Sequence, residues 1–442
     1  MTRWFLPVPL AATMTGTGGH NAMRSAKTRM KIVIFGSVVL LALYAYLLPS
    51  GVPTDYLLTR KDLYAQTHWR PGSKRSTGTA GADVVNSSAT MVMKPGSSLR
   101  QRRNIPDALY HLAREAFDVI PQQFLQSYKN PCFLLDPEVP TSFRCLPYFY
   151  LIGIQKCGTT DVWDKLTSHP DILRTQKEPH FWARYRVLHN VSIHTYLRGR
   201  SERLTTAYIR GDASTLHELI SGDGSTSALA DNRWQNMTSD PYDGPAYLVA
   251  DIMREIQPDS KHIIVLRDPV PRTYSDYLFF NVFPPIYGLR SSPETFHRYV
   301  SDDIGRFNNC TLHRSKRACA YIHGKGGVRT LFGYYAIYIR DWLQRFPRDQ
   351  LYILRTEDWY SNCTFYLRDI HHFLGLRELP EAKLQETCNQ TKKLMNWKTR
   401  VVGPMLAETE KLLRDFFRDK NRELCELLDD ERFLWQQEEI PP

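Results

Sequence analysis

The sequence predicts an α/β fold in which a central parallel sheet is flanked by helices. Three short apolar runs have the character of buried strands, at 148–154, 262–266 and 351–354. Each run is followed by polar or charged residues, and helical periodicity appears later in the chain over 333–346 and 408–428. Alternating strands and helices are typical of a parallel sheet, whose ligands bind beyond the carboxyl ends of the strands.

The N-terminal part predicts a single-pass type II membrane protein. Residues 1–31 carry five Lys or Arg and no acidic residue, and 32–48 form an uncharged apolar run. This pattern favours a cytosolic tail followed by an uncleaved signal anchor, with a cleaved signal peptide as the alternative. Residues 49–104 have the composition of a disordered luminal stem, and 105–442 form the luminal globular domain. The short anchor suits an early-secretory membrane, so we expect the Golgi membrane.

Cysteines and glycosylation sequons agree with a luminal location. All eight cysteines follow the anchor and form no C-x-x-C pair, so disulfides are their expected use. Cys310 with Cys319 and Cys132 with Cys145 are plausible local pairs, while the full connectivity stays open. Six N-x-S/T sequons also follow the anchor, at Asn86, Asn190, Asn236, Asn309, Asn362 and Asn389.

A phosphate-binding loop is predicted where the first strand gives way to a helix. The run Gly153-Ile-Gln-Lys-Cys-Gly-Thr-Thr has glycines that let backbone N–H groups surround an anion, and the helix N-terminus adds free donors. Lys156 adds a charge, and Thr159 and Thr160 add hydroxyls. The lysine precedes the second glycine, unlike the Walker A pattern of kinases and NTPases. An ordinary strand–helix turn is the alternative.

A second anion-binding element follows the next strand. Arg267 comes directly after the apolar run, where its guanidinium can hold an anion with two hydrogen bonds. Ser275 lies eight residues further on, in the following helix, and could approach the same anion from another side. Taken alone, a surface arginine and a helical serine would be unremarkable.

Together the two elements resemble the PAPS-dependent Golgi carbohydrate sulfotransferases over about residues 145–435 (PAPS is 3′-phosphoadenylyl sulfate). The resemblance implies a P-loop-like sulfotransferase fold. It implies that Arg267 and Ser275 hold the 3′-phosphate, and that Lys398 and Arg400 lie on a basic loop closing over it, with a solvated loop as the alternative. The 5′-phosphosulfate end would be held by Lys156, Cys157, Gly158, Thr159 and Thr160, with Lys156 also stabilising charge during the reaction.

A catalytic base is expected in the segment that begins at Lys177 and reads K-E-P-H-F-W. It resembles the K-E-x-H-F segment of Golgi heparan and chondroitin sulfotransferases, which implies that Glu178 is the base. A sugar hydroxyl is a poor nucleophile, so a carboxylate must take its proton as the S–O bond forms. His180 is the rival base, Lys177 could assist at the sulfuryl oxygens, and a simple Lys177–Glu178 surface pair is the bland alternative.

Weaker similarities suggest the acceptor. Segments 211–214, 333–350 and 354–358 resemble the glycosaminoglycan branch of the family. The loop with Cys157, segment 211–214 and the runs 267–277 and 403–405 resemble members of this branch that transfer to carbon 6 of N-acetylgalactosamine 4-sulfate, which implies this acceptor in chondroitin or dermatan sulfate. A heparan sulfate O-sulfotransferase and a non-catalytic glycosaminoglycan-binding glycoprotein are the alternatives. The net charge of +11 suits a sulfated polysaccharide. Five arginines could line an acceptor groove or a solvated loop: Arg184, Arg186, Arg198, Arg200 and Arg203.

Other functions fit the sequence less well. The chain has no G-x-x-x-x-G-K-[ST] loop, which argues against a kinase or NTPase, and no D-x-D, which many Golgi glycosyltransferases use to hold a metal. No cluster of metal ligands is apparent, so no metal is expected. Nucleic acid is not an expected partner, and a homodimer is compatible with the sequence.

Overall fold

Nine strands and fourteen α-helices occur in the part of the chain that the computed structural model describes, which is 104–211, 217–232, 239–240, 242–280, 291–324, 328–390 and 401–435. The predicted tail, the anchor and nearly all of the stem lie outside these residues. No helix within the described ranges is long and apolar enough to cross a membrane. The strands are β1 Cys132–Leu134, β2 Phe143–Cys145, β3 Phe149–Gly153, β4 Ile172–Leu173, β5 Ile220–Asp223, β6 Ser239–Asp240, β7 Gly244–Pro245, β8 Lys261–Leu266 and β9 Leu351–Arg355.

The central sheet has five parallel strands in the order β4-β5-β3-β8-β9. The predicted parallel α/β architecture is therefore confirmed. The three predicted strands are β3, β8 and β9, displaced by a residue or two at their ends. Strand β5 was not predicted, because Ser221, Gly222 and Asp223 do not make an apolar run although all are buried.

Helices flank the sheet, and two that begin at its carboxyl edge carry Thr159, Thr160 and Ser275 of the predicted site. A π-helical turn spans Phe181–Tyr185, and 3₁₀ turns span Pro140–Ser142, Thr330–Gly333, Arg348–Gln350 and Glu431–Leu434. The helices are α1 Asp107–Leu112, α2 Arg114–Val119, α3 Thr159–Leu166, α4 Arg186–Leu188, α5 Ile193–Arg210, α6 Val249–Ile256, α7 Pro269–Phe280, α8 Pro293–Thr311, α9 Lys316–His323, α10 Tyr335–Leu343, α11 Thr356–Ser361, α12 Cys363–Phe373, α13 Glu381–Asn389 and α14 Ala407–Leu428.

The middle of the sheet is the centre of the core. Every residue of β3 is buried, as is β8 from His262 onwards. Helix α10 packs here through Trp342, whose indole N–H donates to the Leu229 carbonyl at 3.2 Å and whose ring lies against His262. The aromatic residues of 333–346 therefore serve mainly to hold the sheet in place.

Three disulfides staple the outer segments. Cys132–Cys145 and Cys310–Cys319 confirm the two predicted local pairs. Cys363–Cys388, with a sequence separation of 25, was not predicted. Cys157 and Cys425 are free. The four sequon asparagines within the described ranges are all exposed: Asn190, Asn309, Asn362 and Asn389.

Candidate active site

The predicted phosphate loop joins β3 to α3 at the carboxyl edge of the sheet. Gly158 caps the helix in a left-handed conformation, with φ of 74°. Among the described residues, no group accepts a hydrogen bond from the amides of Gly158 and Thr159, as is usual at a helix N-terminus. The Lys156 ammonium lies 3.8 Å from the centroid of the exposed Phe279 ring. The loop thus presents backbone donors and a cation at one place.

Thr356 connects this loop to the neighbouring strand. Its hydroxyl lies 2.7 Å from the carbonyl oxygen of Cys157 and 2.8 Å from that of Leu266, and it shares its proton between them. A side chain at Gly158 would place its Cβ 3.3 Å from the Thr356 methyl group, so the contact is close. The end of β8 and the phosphate loop are therefore held together by one side chain.

Cys157 has a packing role in the loop. Its thiol is buried, lies 3.9 Å from the Tyr335 hydroxyl, and has its pKa raised by burial to about 12. The thiol is therefore protonated at neutral pH and is not a nucleophile.

Arg267 lies directly after β8, and Ser275 lies in the middle of α7. Both are partly exposed. Helix α7 is fixed by a fully buried carboxylate, Asp276, which lies 3.4 Å from Arg272 and 2.6 Å from Arg329. This ionic cluster fixes the orientation of α7 and hence the position of Ser275. Two strands that neighbour each other, β3 and β8, thus bring the two predicted anion-binding elements to one edge.

The predicted basic loop, with Lys398 and Arg400, lies outside the described residues. The chain is described again from Val401, and the Gly403 carbonyl accepts a hydrogen bond from the Tyr274 hydroxyl at 2.6 Å. Tyr274 precedes Ser275 in α7, so the residues after this loop are tied to the helix that carries Ser275. Residues 212–214 of the weaker acceptor-side motif are also outside the described ranges.

The predicted base lies in the segment after β4. The Glu178 carboxylate contacts the Lys177 ammonium through Oε1, and its Oε2 lies 3.6 Å from Nε2 of His180. Glu178 and His180 both have positive φ, 62° and 46°, which non-glycine residues adopt only where the surroundings impose it. The arrangement brings Lys177, Glu178 and His180 together, so Glu178 is more than a surface partner of Lys177.

Residues after β5 hold the backbone and the ring of His180, and no motif in the sequence indicated them. The Ser225 hydroxyl accepts from the His180 backbone N–H, and the Ser227 hydroxyl lies 2.8 Å from Nδ1 of the ring. Asp223 accepts from the Ser225 amide at 2.9 Å and from the Tyr196 hydroxyl at 2.7 Å. All of these residues are buried, so the imidazole has a fixed orientation that leaves Nε2 towards Glu178. The available signal was a run of small polar residues directly after the end of a strand.

The electrostatics of Glu178 favour its ionised form. Partial burial alone would raise the pKa of the carboxyl, but the hydrogen bond from His180 and the charge of Lys177 outweigh it and lower the pKa to about 2. The side chain is still 43% exposed. Glu178 is therefore an accessible carboxylate, although two neighbours engage its oxygens.

The five arginines of the predicted acceptor region divide into two groups. Three of the five make intramolecular contacts, and the other two, Arg198 and Arg203, are exposed on α5. A groove for a polyanion would therefore depend on these two more than on the others. The partners are Asp231 for Arg184 at 2.5 Å, the Leu112 carbonyl for Arg186, and the Gln176 carbonyl for Arg200 at 2.8 Å.

Comparison with known proteins identifies the class. A sulfotransferase-domain profile matches residues 147–402, more than half of the chain. The chain belongs to the sulfotransferase family and is a PAPS-dependent enzyme of that class.

The similar proteins include sulfotransferases named for a carbohydrate acceptor. Carbohydrate sulfotransferase 15 of Rattus norvegicus is 32% identical over 406 residues, covering 76% of this chain and 70% of the relative. Heparan sulfate glucosamine 3-O-sulfotransferase 3A1 of Mus musculus is 26% identical, covering 64% and 63%. A solved sulfotransferase from Alicyclobacillus acidocaldarius is 20% identical with a TM-score of 0.39, covering 65% of this chain and 97% of that one.

The residues at the sheet edge fit the donor. PAPS carries anionic groups at both ends, and the site offers the Gly158 and Thr159 amides, Lys156 and Arg267. Among the described residues, no group of three or more His, Cys, Asp or Glu side chains could hold a metal ion.

Proposed function

We propose that this enzyme transfers the sulfuryl group of PAPS to a glycosaminoglycan hydroxyl, at carbon 6 of N-acetylgalactosamine 4-sulfate in chondroitin or dermatan sulfate. The observation that carries the proposal is the Lys177–Glu178–His180 cluster at the same sheet edge as the phosphate loop. A carbohydrate acceptor is supported by the similarity to carbohydrate sulfotransferase 15, and the position of transfer by the motif resemblances in the sequence.

Glu178 is the base in this proposal. Its carboxylate takes the proton of the acceptor hydroxyl while the oxygen attacks sulfur in line with the departing 3′,5′-ADP. His180 orients the carboxylate. The Ser227 hydroxyl lies 2.8 Å from Nδ1, and in this proposal it is the donor, which puts the ring's proton on Nε2, 3.6 Å from Glu178. This assignment makes His180 a positioning residue and leaves the chemistry to the carboxylate.

Lys156 and Lys177 act on the negative charges of PAPS during the transfer. Lys156, the loop amides and the Thr159 and Thr160 hydroxyls stabilise the negative charge that grows on the 5′-phosphate of the leaving group. Lys177 lies against Glu178 in the donor-free chain. When Lys177 turns to the sulfuryl oxygens, Glu178 loses its closest cation, its pKa rises, and it becomes a stronger base.

The 3′-phosphate is bound by Arg267 and Ser275, with Lys398 and Arg400 closing over it. The link between Tyr274 and Gly403 supports this, because it brings the chain that follows Arg400 to the Ser275 helix. The enzyme resides in the Golgi membrane as a type II protein, with residues 1–31 cytosolic, 32–48 spanning the membrane and 49–104 as a luminal stem.

Labelled-sulfate transfer from PAPS tests the proposal directly. The full-length protein is incubated with chondroitin, chondroitin 4-sulfate, dermatan sulfate and heparan sulfate, and the products are resolved by disaccharide analysis. We expect 4,6-disulfated N-acetylgalactosamine as the main product. The control Lys411→Ala alters a side chain that is 79% exposed on α14 and should leave the rate unchanged. Product found only on heparan sulfate would reject the proposed acceptor.

A further inference from the structure

Gln155 is an unexplained residue of the phosphate loop. It lies between Ile154 and Lys156, and it is only 8% exposed. Both its amide nitrogen and its amide oxygen are buried without a hydrogen-bond partner. Among the described residues it is the only one whose side-chain donor and acceptor are both left in this state. Native structures rarely tolerate this, because a buried amide without partners loses its hydrogen bonds to water and gains none.

The backbone before Gln155 is held between two segments of the site. The preceding residue, Ile154, donates its N–H to the Val265 carbonyl at 2.9 Å, which fixes the start of the loop against β8. On the other side, the Leu229 amide donates to the Ile152 carbonyl at 2.9 Å. Gln155 therefore follows directly on a strand end packed on one flank by the Arg267 strand and on the other by the segment that holds His180.

A structural role does not account for the amide. An apolar side chain of the same length would fill the space without the cost of two unpaired groups. Gln257 shows how this fold treats an amide that is needed for structure. It is 5% exposed, accepts from the Tyr150 hydroxyl at 2.9 Å, and donates to the Pro147 carbonyl at 3.0 Å. That amide lies at the opposite end of β3, away from the phosphate loop.

We propose that Gln155 is a donor-recognition residue whose amide N–H groups hydrogen-bond the sulfuryl oxygens of PAPS, resting on the function proposed above. The amide is covered in the donor-free chain, so it engages the ligand by a change of rotamer as the donor enters the loop. The neutral amide adds hydrogen-bond donors beside Lys156 without adding charge. It therefore discriminates PAPS, which carries the sulfuryl group, from 3′,5′-ADP, which lacks it.

The test compares two glutamine-to-methionine variants of the full-length protein by calorimetric titration with PAPS and with 3′,5′-ADP, and by thermal unfolding. For Gln155→Met we expect PAPS affinity to fall about ten-fold or more, because hydrogen bonds to an anionic group are lost. We expect affinity for 3′,5′-ADP to stay within about two-fold, and the melting temperature to be unchanged or higher. For the control Gln257→Met we expect a lower melting temperature and unchanged affinity for both ligands.

The possible results distinguish a failure of the role proposed for Gln155 from a failure of the proposed function. Unchanged PAPS affinity in Gln155→Met would overturn the inference alone. Equal weakening of both ligands together with a lower melting temperature would also overturn it, since the amide would then be structural. A wild-type protein that binds neither ligand would overturn the proposed function, and the inference with it.

Discussion

Replacing Glu178 by glutamine is the sharpest test of the catalytic cluster. The change keeps the shape of the side chain and an oxygen that can still accept from Lys177 or His180, but it removes the charge and the ability to take a proton. Removing a general base typically costs a factor of about 10² to 10⁴ in rate, or roughly 2.7 to 5.5 kcal/mol in activation free energy. The contacts with Lys177 and His180 also stabilise the folded chain, but the side chain is 43% exposed. We therefore expect the free energy of unfolding to fall by only about 1 kcal/mol.

The assay is kcat for labelled-sulfate transfer under saturating PAPS, with 3′,5′-ADP affinity as the measure of an intact donor site. We expect a large fall in kcat and unchanged 3′,5′-ADP affinity. The matched variant His180→Asn should lose less, because it disturbs only the orientation of the carboxylate. A Glu178→Gln enzyme with near-normal kcat, alongside an inactive His180→Asn enzyme, would refute the reasoning and make His180 the base.

The pH dependence provides an independent check on the same residue. The depressed pKa of Glu178, about 2 in the donor-free chain, means that the carboxylate is ionised throughout the range in which the protein is handled. The profile of kcat/KM for PAPS reports the donor-free enzyme. We therefore expect no loss of kcat/KM through protonation of Glu178 until the pH approaches 2. An acid limb between pH 4 and 7 that persists in Glu178→Gln would contradict the assignment and point to His180 as the base.

Three further outcomes are expected. Arg267→Ala should weaken 3′,5′-ADP binding by about 10- to 100-fold in calorimetric titration, because a charge-assisted hydrogen bond is lost; an unchanged affinity would remove Arg267 from the donor site. Replacing Cys363 and Cys388 together by serine should lower the free energy of unfolding by about 3.5 kcal/mol for their separation of 25 residues, measured by denaturant titration. Burial lowers the pKa of His262 to about 3, so between this value and about 6.5 the unfolded chain binds a proton that the folded chain does not. The melting temperature should therefore fall as the pH drops from about 6.5 towards 3. In His262→Gln this fall should be smaller.

The predictable part of the fold was the part driven by burial of apolar side chains. Strands β3 and β8 are buried on both faces, and the edge strand β9 is partly buried. All three read as apolar runs in the sequence. Strand β5 is buried too, but Gly222 is there because Phe149 leaves no room for a side chain: an added Cβ would lie 2.4 Å from its ring. Such a constraint comes from a neighbour distant in sequence, so local periodicity cannot reveal it.

The predictable part of the site was the part that carries anion-binding or proton-transfer chemistry. Three of these residues lie directly after a strand or a few residues beyond one: Lys156, Arg267 and Glu178. The fold brings them to the carboxyl edge of the sheet. Their supports could not be predicted in the same way. Ser225 and Ser227 act through contacts with His180 that span 45 and 47 residues. Small polar residues are common in loops, and only the tertiary contact gives these two their role.

The shared hydroxyl of Thr356 has a consequence for the energetics of ligand capture. A ligand that grips two separate chain segments must normally restrict both, and the lost conformational entropy weakens binding. Here the phosphate loop and the strand that leads to Arg267 are already fastened to each other at 2.7 and 2.8 Å. The entropy of bringing the two segments into register is therefore lost once, when the chain folds, and each incoming nucleotide meets a preorganised site.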